Sequence, residues 1–121
     1  MPRPRTRMPQ DAISDARGVL DHAITEKAFQ ALVIDTARMF GWFGFHAYDA
    51  RRSAAGYPDL TLIHREHGVI WVELKTMRGR LSRDQQLWLR ALMDAGQRAY
   101  VWRPCDFPEI EAVLRGEEAE R

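Results

Sequence analysis

Three things are scarce in this chain. Among its 121 residues there is one cysteine, Cys105, which excludes an internal disulfide and a cysteine-built zinc site, and leaves a packing residue as its expected role. No run approaches the ~20 apolar residues of a membrane span, and the first residues lack the apolar stretch of a secretory signal, so a cytoplasmic protein with no membrane partner is expected. Net charge is only +1, so the total says nothing about nucleic acid and the distribution must be read instead.

Between Arg51 and Arg83 seven basic residues stand against three acids, Asp59, Glu66 and Glu73. Positive charge therefore gathers around one short stretch. With 45% hydrophobic and 29% charged residues the chain reads as one ordinary globular domain, large enough for a single modest core. The expected division is a basic N-terminal arm and short helix over 1–24, a domain over 25–115 and a polar tail over 116–121. Met1 to Gln10 holds three prolines and no acid, too little apolar surface to order itself.

The stretch with the most chemistry is Gly56 to Lys75. Leu60 to Ile63 and Val69 to Leu74 are apolar and β-branched, and they flank the polar turn Arg65-Glu66-His67-Gly68, the pattern of a β-hairpin. Alternation puts Ile70, Val72 and Leu74 on one face and Trp71, Glu73 and Lys75 on the other. Opposed residues in an antiparallel pair have a constant sum of numbers, and a turn centred on Glu66 sets Asp59 opposite Glu73. Two carboxylates about 5 Å apart repel. A hard divalent cation such as Mg²⁺ or Mn²⁺, with oxygen ligands at roughly 2.0–2.1 Å, fits that gap, and Lys75 adds a point charge beside it.

Pro58-Asp59 followed by Glu73-Leu74-Lys75 resembles the PD-(D/E)xK nuclease signature. The fuller set, Gly56-Tyr-Pro-Asp-Leu, Val-Glu-Leu-Lys-Thr and Gly79-Arg-Leu-Ser-Arg-Asp-Gln-Gln, is similar to the VRR-NUC branch of that superfamily over roughly residues 25 to 104. The resemblance implies a Mg²⁺- or Mn²⁺-dependent nuclease acting on DNA. Asp59 and Glu73 would bind the metal with the Leu74 backbone carbonyl as a further ligand, and Lys75 would be catalytic. It also implies that stand-alone domains of this kind are structure-selective, on Holliday junctions or flaps, and pair as homodimers. A module with the same fold that binds nucleic acid without cutting is the alternative.

Other residues carry two readings each. Glu26 falls in the first turn of a helix that Thr25 caps and that runs to about Met39, with Phe29, Leu32, Val33, Ala37 and Phe40 as its apolar stripe. It either complements the helix dipole or, as the resemblance implies, points into the site. Ser82 with Gln85 three residues on is a capping box opening a helix to about Ala95, with Leu81, Trp88, Leu92 and Ala95 facing the core. The resemblance also places Gln85 at the active site. Arg51, Arg52 and Ser53, in a polar loop from Asp49 to Pro58, would reach phosphates at the mouth of the site or simply be solvated. Arg78 and Arg80 add to the same positive patch.

Trp42 to Tyr48 reads as a first strand, with His46 a satisfied strand histidine, and Arg98 to Arg103 as a last one. A short helix is expected over 106–115. His64 and His67, in the hairpin turn without further ligands, are assigned to solvent. The resulting order is α/β, a restriction-endonuclease-like αβββαβ sandwich around a central mixed β-sheet, and the resemblance implies the same core.

Overall fold

The computed structural model describes residues 9–46 and 54–117. A helix over Pro9–Ala23 (α1) precedes one over Glu26–Met39 (α2). A first helical position needs no amide hydrogen, so Pro9 is well placed there, and α1 takes in Pro9 and Gln10 of the stretch expected not to order itself. Thr25 is extended and caps α2 as expected, its Oγ1 accepting from the Ala28 amide at 3.1 Å. Phe29, Val33 and Ala37 are buried, whereas Leu32 is 42% exposed. One residue before Val33, it lies about 100° around the helix from it. Gly41, at φ +87°, turns the chain out of α2.

Four strands follow, β1 (Phe43–His46), β2 (Leu60–His64), β3 (Gly68–Leu74) and β4 (Arg98–Trp102). They lie side by side in that order, with β1–β2 and β2–β3 antiparallel and β3–β4 parallel. A parallel pair needs a crossover, here the segment that includes helix α3 (Arg83–Asp94). The sheet is mixed and the hairpin is at its centre, as expected. Its register pairs Leu60 with Val72 and His64 with Gly68, so the turn is centred on Glu66.

One face of the sheet makes the core. Leu60, Leu62, Ile70, Val72 and Leu74 are buried there with α2 and with Ile110, Val113 and Leu114 of helix α4 (Phe107–Leu114). The other face carries Thr61, Trp71 and Glu73, and α3 lies over it: Trp88 meets Tyr57 edge-on at 5.0 Å, and the Tyr57 hydroxyl bonds the Thr61 hydroxyl at 3.0 Å. The buried residue of α3 is Leu89, while Ala95 is exposed and Leu81, Trp88 and Leu92 are half-buried. The covered face thus keeps Trp88 and Leu92 of the expected stripe, takes in Leu89 and leaves out Ala95.

Two expectations are corrected at the periphery. His64 and His67 are half-buried, with rings stacked at 4.2 Å and Trp42 at 5.1 Å from His64. His64 Nε2 donates to the Phe40 carbonyl at 2.9 Å, and Nδ1 accepts from the amides of Glu66 and His67 at 3.0 and 3.3 Å. The hairpin turn thus folds back onto the end of α2. Cys105 is exposed, because in the 3-10 turn Pro104–Asp106 it is Pro104 that takes the buried place.

Candidate active site

The β2–β3 ladder ends at Leu60 and Val72, and the next pair in that register is Asp59 with Glu73. Pro58, buried just before, has no amide hydrogen with which to continue a ladder. A side chain takes over: Asp59 Oδ2 accepts from the Leu74 amide at 2.8 Å. The amide and carbonyl of one strand residue point to the same side, so the Leu74 carbonyl also faces Asp59. The Lys75 amide points the other way, to the Trp102 carbonyl at 3.0 Å.

Glu73 is 1% exposed and is the only charged residue in the buried set among the described residues. Gln85 Nε2 donates to its Oε1 at 3.2 Å, while Oε2 receives no donor from any described residue. Burial, then a hydrogen bond with Asp59, then the Asp59 charge push the Glu73 carboxyl up to about 9, with Glu26 adding to the rise and Lys75 opposing it. Without a cation, Glu73 is therefore neutral at pH 7 and holds its proton against Asp59.

Gln85 forms the expected cap and also reaches Glu73. Ser82 N donates to Gln85 Oε1 at 2.8 Å and Gln85 N to Ser82 Oγ at 3.1 Å, which completes the capping box. The cap occupies the amide oxygen and so aims the NH₂ end at Glu73. Gly56 fixes the other side of this arrangement. At φ +82° it packs so closely on the start of α3 that a Cβ would fall 2.5 Å from the Asp84 carbonyl oxygen and 2.6 Å from the Gln85 nitrogen. The loop bearing Asp59 and the helix bearing Gln85 are thereby locked together.

Glu26 is exposed in the first turn of α2, and it is close enough for its charge to be felt at Glu73. Lys75 is half-buried beside Glu73, and Arg78 and Arg80 are exposed on the loop after it. Arg51, Arg52, Ser53 and the N-terminal residues 1–8 lie outside the described residues. His46 contacts Gln30, as a strand histidine with a partner should. Arg103 went unrecognised in the sequence: its Nη1 donates to the carbonyls of Thr76 and Gly79, both at 2.6 Å, across the loop that carries Lys75 onward. Nothing local marks it, since its partners lie 27 and 24 residues away.

Among the described residues no three His, Cys, Asp or Glu side chains converge on one point. Two carboxylates, one of them with a buried oxygen that receives no donor, and an acceptor carbonyl still form an all-oxygen set that fits Mg²⁺ or Mn²⁺. Such ions use one or two carboxylates and complete their shell with water and substrate phosphate.

No curated protein and no solved structure matches the chain. The VRR-NUC domain family matches residues 13–104, which extends the likeness back into α1 and takes in every described element of the site. The match covers roughly three-quarters of the sequence, and the chain therefore belongs to the VRR-NUC domain family, a nuclease-type domain.

Proposed function

We propose that the protein is a Mg²⁺- or Mn²⁺-dependent DNA endonuclease that hydrolyses phosphodiester bonds in branched DNA such as Holliday junctions or flaps. The observation that carries this reading is the Asp59–Glu73 pair, with a buried Glu73 carboxyl oxygen that receives no donor from the described residues. A purely structural role gives no reason to bury one acid against a second, half-buried one without a cation between them.

Asp59, Glu73 and the Leu74 carbonyl would hold the ion, with Glu26 further out through water. Bound there, a divalent cation supplies Lewis acidity toward a phosphoryl oxygen and toward an attacking water. The protein's own groups do the rest. Gln85 keeps the Glu73 carboxylate in one rotamer and Asp59 is fixed by the Leu74 amide, so the donor set is formed before substrate arrives. The Lys75 ammonium offsets the charge that grows on the phosphorane-like transition state. Arg78 and Arg80, with Arg51 and Arg52 ahead of Pro58 in the sequence, would neutralise backbone phosphates without reading sequence, and Ser53 would add a hydrogen bond. A homodimer would present two such sites to the two sides of a junction.

The test is incubation of the protein with labelled single-stranded, duplex, flap and four-way-junction DNA in Mg²⁺, Mn²⁺ or chelator, beside Lys75→Ala, with mass measured by light scattering. Metal-dependent cuts lost in the variant support the reading. Binding of every DNA form in chelator with no cuts in either metal would replace it with a non-cutting module.

A further inference from the structure

We infer that Arg103 is a positioning residue that seats the catalytic Lys75; the inference rests on the role given to Lys75 above. Lys75 is the last residue that the sheet holds, through its amide on the Trp102 carbonyl. Beyond that bond its side chain is a flexible four-carbon stem. Among the described residues the ammonium has no hydrogen bond or ion pair, so the stem must be aimed by what it lies on. It lies on Gly79: a Cβ at that position would come 3.3 Å from Lys75 Cδ and 3.2 Å from Thr76 Oγ1. The Thr76–Gly79 turn is the seat of the lysine.

That turn closes without help. Gly79 N donates to the Thr76 carbonyl at 3.3 Å and to Thr76 Oγ1 at 3.1 Å. What these bonds leave open is where the turn stands relative to the sheet. Arg103 settles it, with one terminal nitrogen donating to the carbonyls at both ends of the turn. A guanidinium nitrogen with two N–H groups spaced to span two carbonyls suits this task.

Arg103 is itself held at both backbone groups by one residue. Its amide donates to Asp106 Oδ2 at 2.8 Å and its carbonyl accepts from the Asp106 amide at 2.8 Å. A continuous chain of contacts therefore runs from the 3-10 turn through Arg103 and the 76–79 turn to the lysine stem.

The sequence makes the test unusually clean, because Lys27 and Lys75 are its only lysines. In protein carrying ¹³C-lysine, side-chain relaxation should show Lys75 restrained and Lys27, exposed on α2, mobile. Arg103→Ala should release Lys75 and leave Lys27 unchanged. Gly79→Ala should shift the Lys75 signal with Arg103 in place, so a fold lost in Arg103→Ala does not remove the test. In cleavage assays Arg103→Ala should lower kcat on the order of 10- to 100-fold with KM within about 2-fold, and should cost nothing further on top of Lys75→Ala.

An unchanged Lys75 signal in both folded variants would overturn the inference. So would a raised KM with kcat intact, which would mark Arg103 as a phosphate contact. Wild-type protein that cuts no DNA in any metal would sink the nuclease reading, and the lysine spectra would still decide whether Arg103 seats Lys75.

Discussion

Replacing Glu73 with glutamine should stabilise the metal-free protein above about pH 6, and the reason is a proton. In the unfolded chain this carboxyl titrates near 4.5, whereas in the folded chain it is pushed up to about 9. Between those values the unfolded state has lost the proton and the folded state keeps it, so stability falls as pH rises. One retained proton sets a slope of about −1.4 kcal/mol per pH unit, which amounts to about 3 kcal/mol by pH 7. Glu73→Gln removes the slope and keeps the shape, since its amide can accept from Gln85 and donate to Asp59 as the protonated acid does. Urea unfolding of both proteins in chelator, from about pH 5 to about pH 8, reads the difference, because the groups that do not interact with Glu73 cancel between them. Curves that run parallel across that range would refute a proton held by Glu73.

Three further outcomes follow from the same geometry. Mg²⁺ should raise the unfolding midpoint of the wild type more at higher pH, because binding releases the shared proton, and Glu73→Gln should lose most of that gain; equal gains in both proteins would place the ion elsewhere. Gly56→Ala should cost at least about 1–2 kcal/mol for the left-handed backbone alone, with more for its contact with Asp84 and Gln85, seen as a lower urea midpoint and lost cleavage; a neutral result would mean the loop and α3 are not locked. Trp42→Phe should cost about 1–3 kcal/mol by leaving the buried Leu114 carbonyl, now bonded to Trp42 Nε1 at 2.9 Å, without its donor, and an unchanged denaturation midpoint would contradict that.

Much of the site was legible because its parts obey short-range rules. Period-two alternation and a turn centred on Glu66 set Asp59 opposite Glu73, and the ladder has that register. Ser82 with Gln85, and Thr25 ahead of α2, are patterns of three or four residues, and both caps form as read. What escaped depends on groups far apart in the chain. His64 and His67 left the solvent because Trp42 and the end of α2 were waiting for the hairpin turn. Arg103 reads as an ordinary strand-end arginine until β4 is laid parallel to β3, which brings it to the 76–79 turn. The burial of Leu89 in α3, beside the expected Trp88 and Leu92, has the same cause, since the packing below the helix decides which of its apolar residues goes deepest.

The double use of Gln85 has a consequence for how the site can open. Helix ends fray, and at most helices the event changes nothing beyond the first turn. Here the amide that closes the N-terminus of α3 also steadies Glu73. Each fraying of that turn removes the donor that Gln85 gives Glu73, so the rate of helix-end fluctuation sets how often that carboxyl is released. The helix start and the Glu73 carboxyl are therefore coupled, and a change that loosens one also loosens the other.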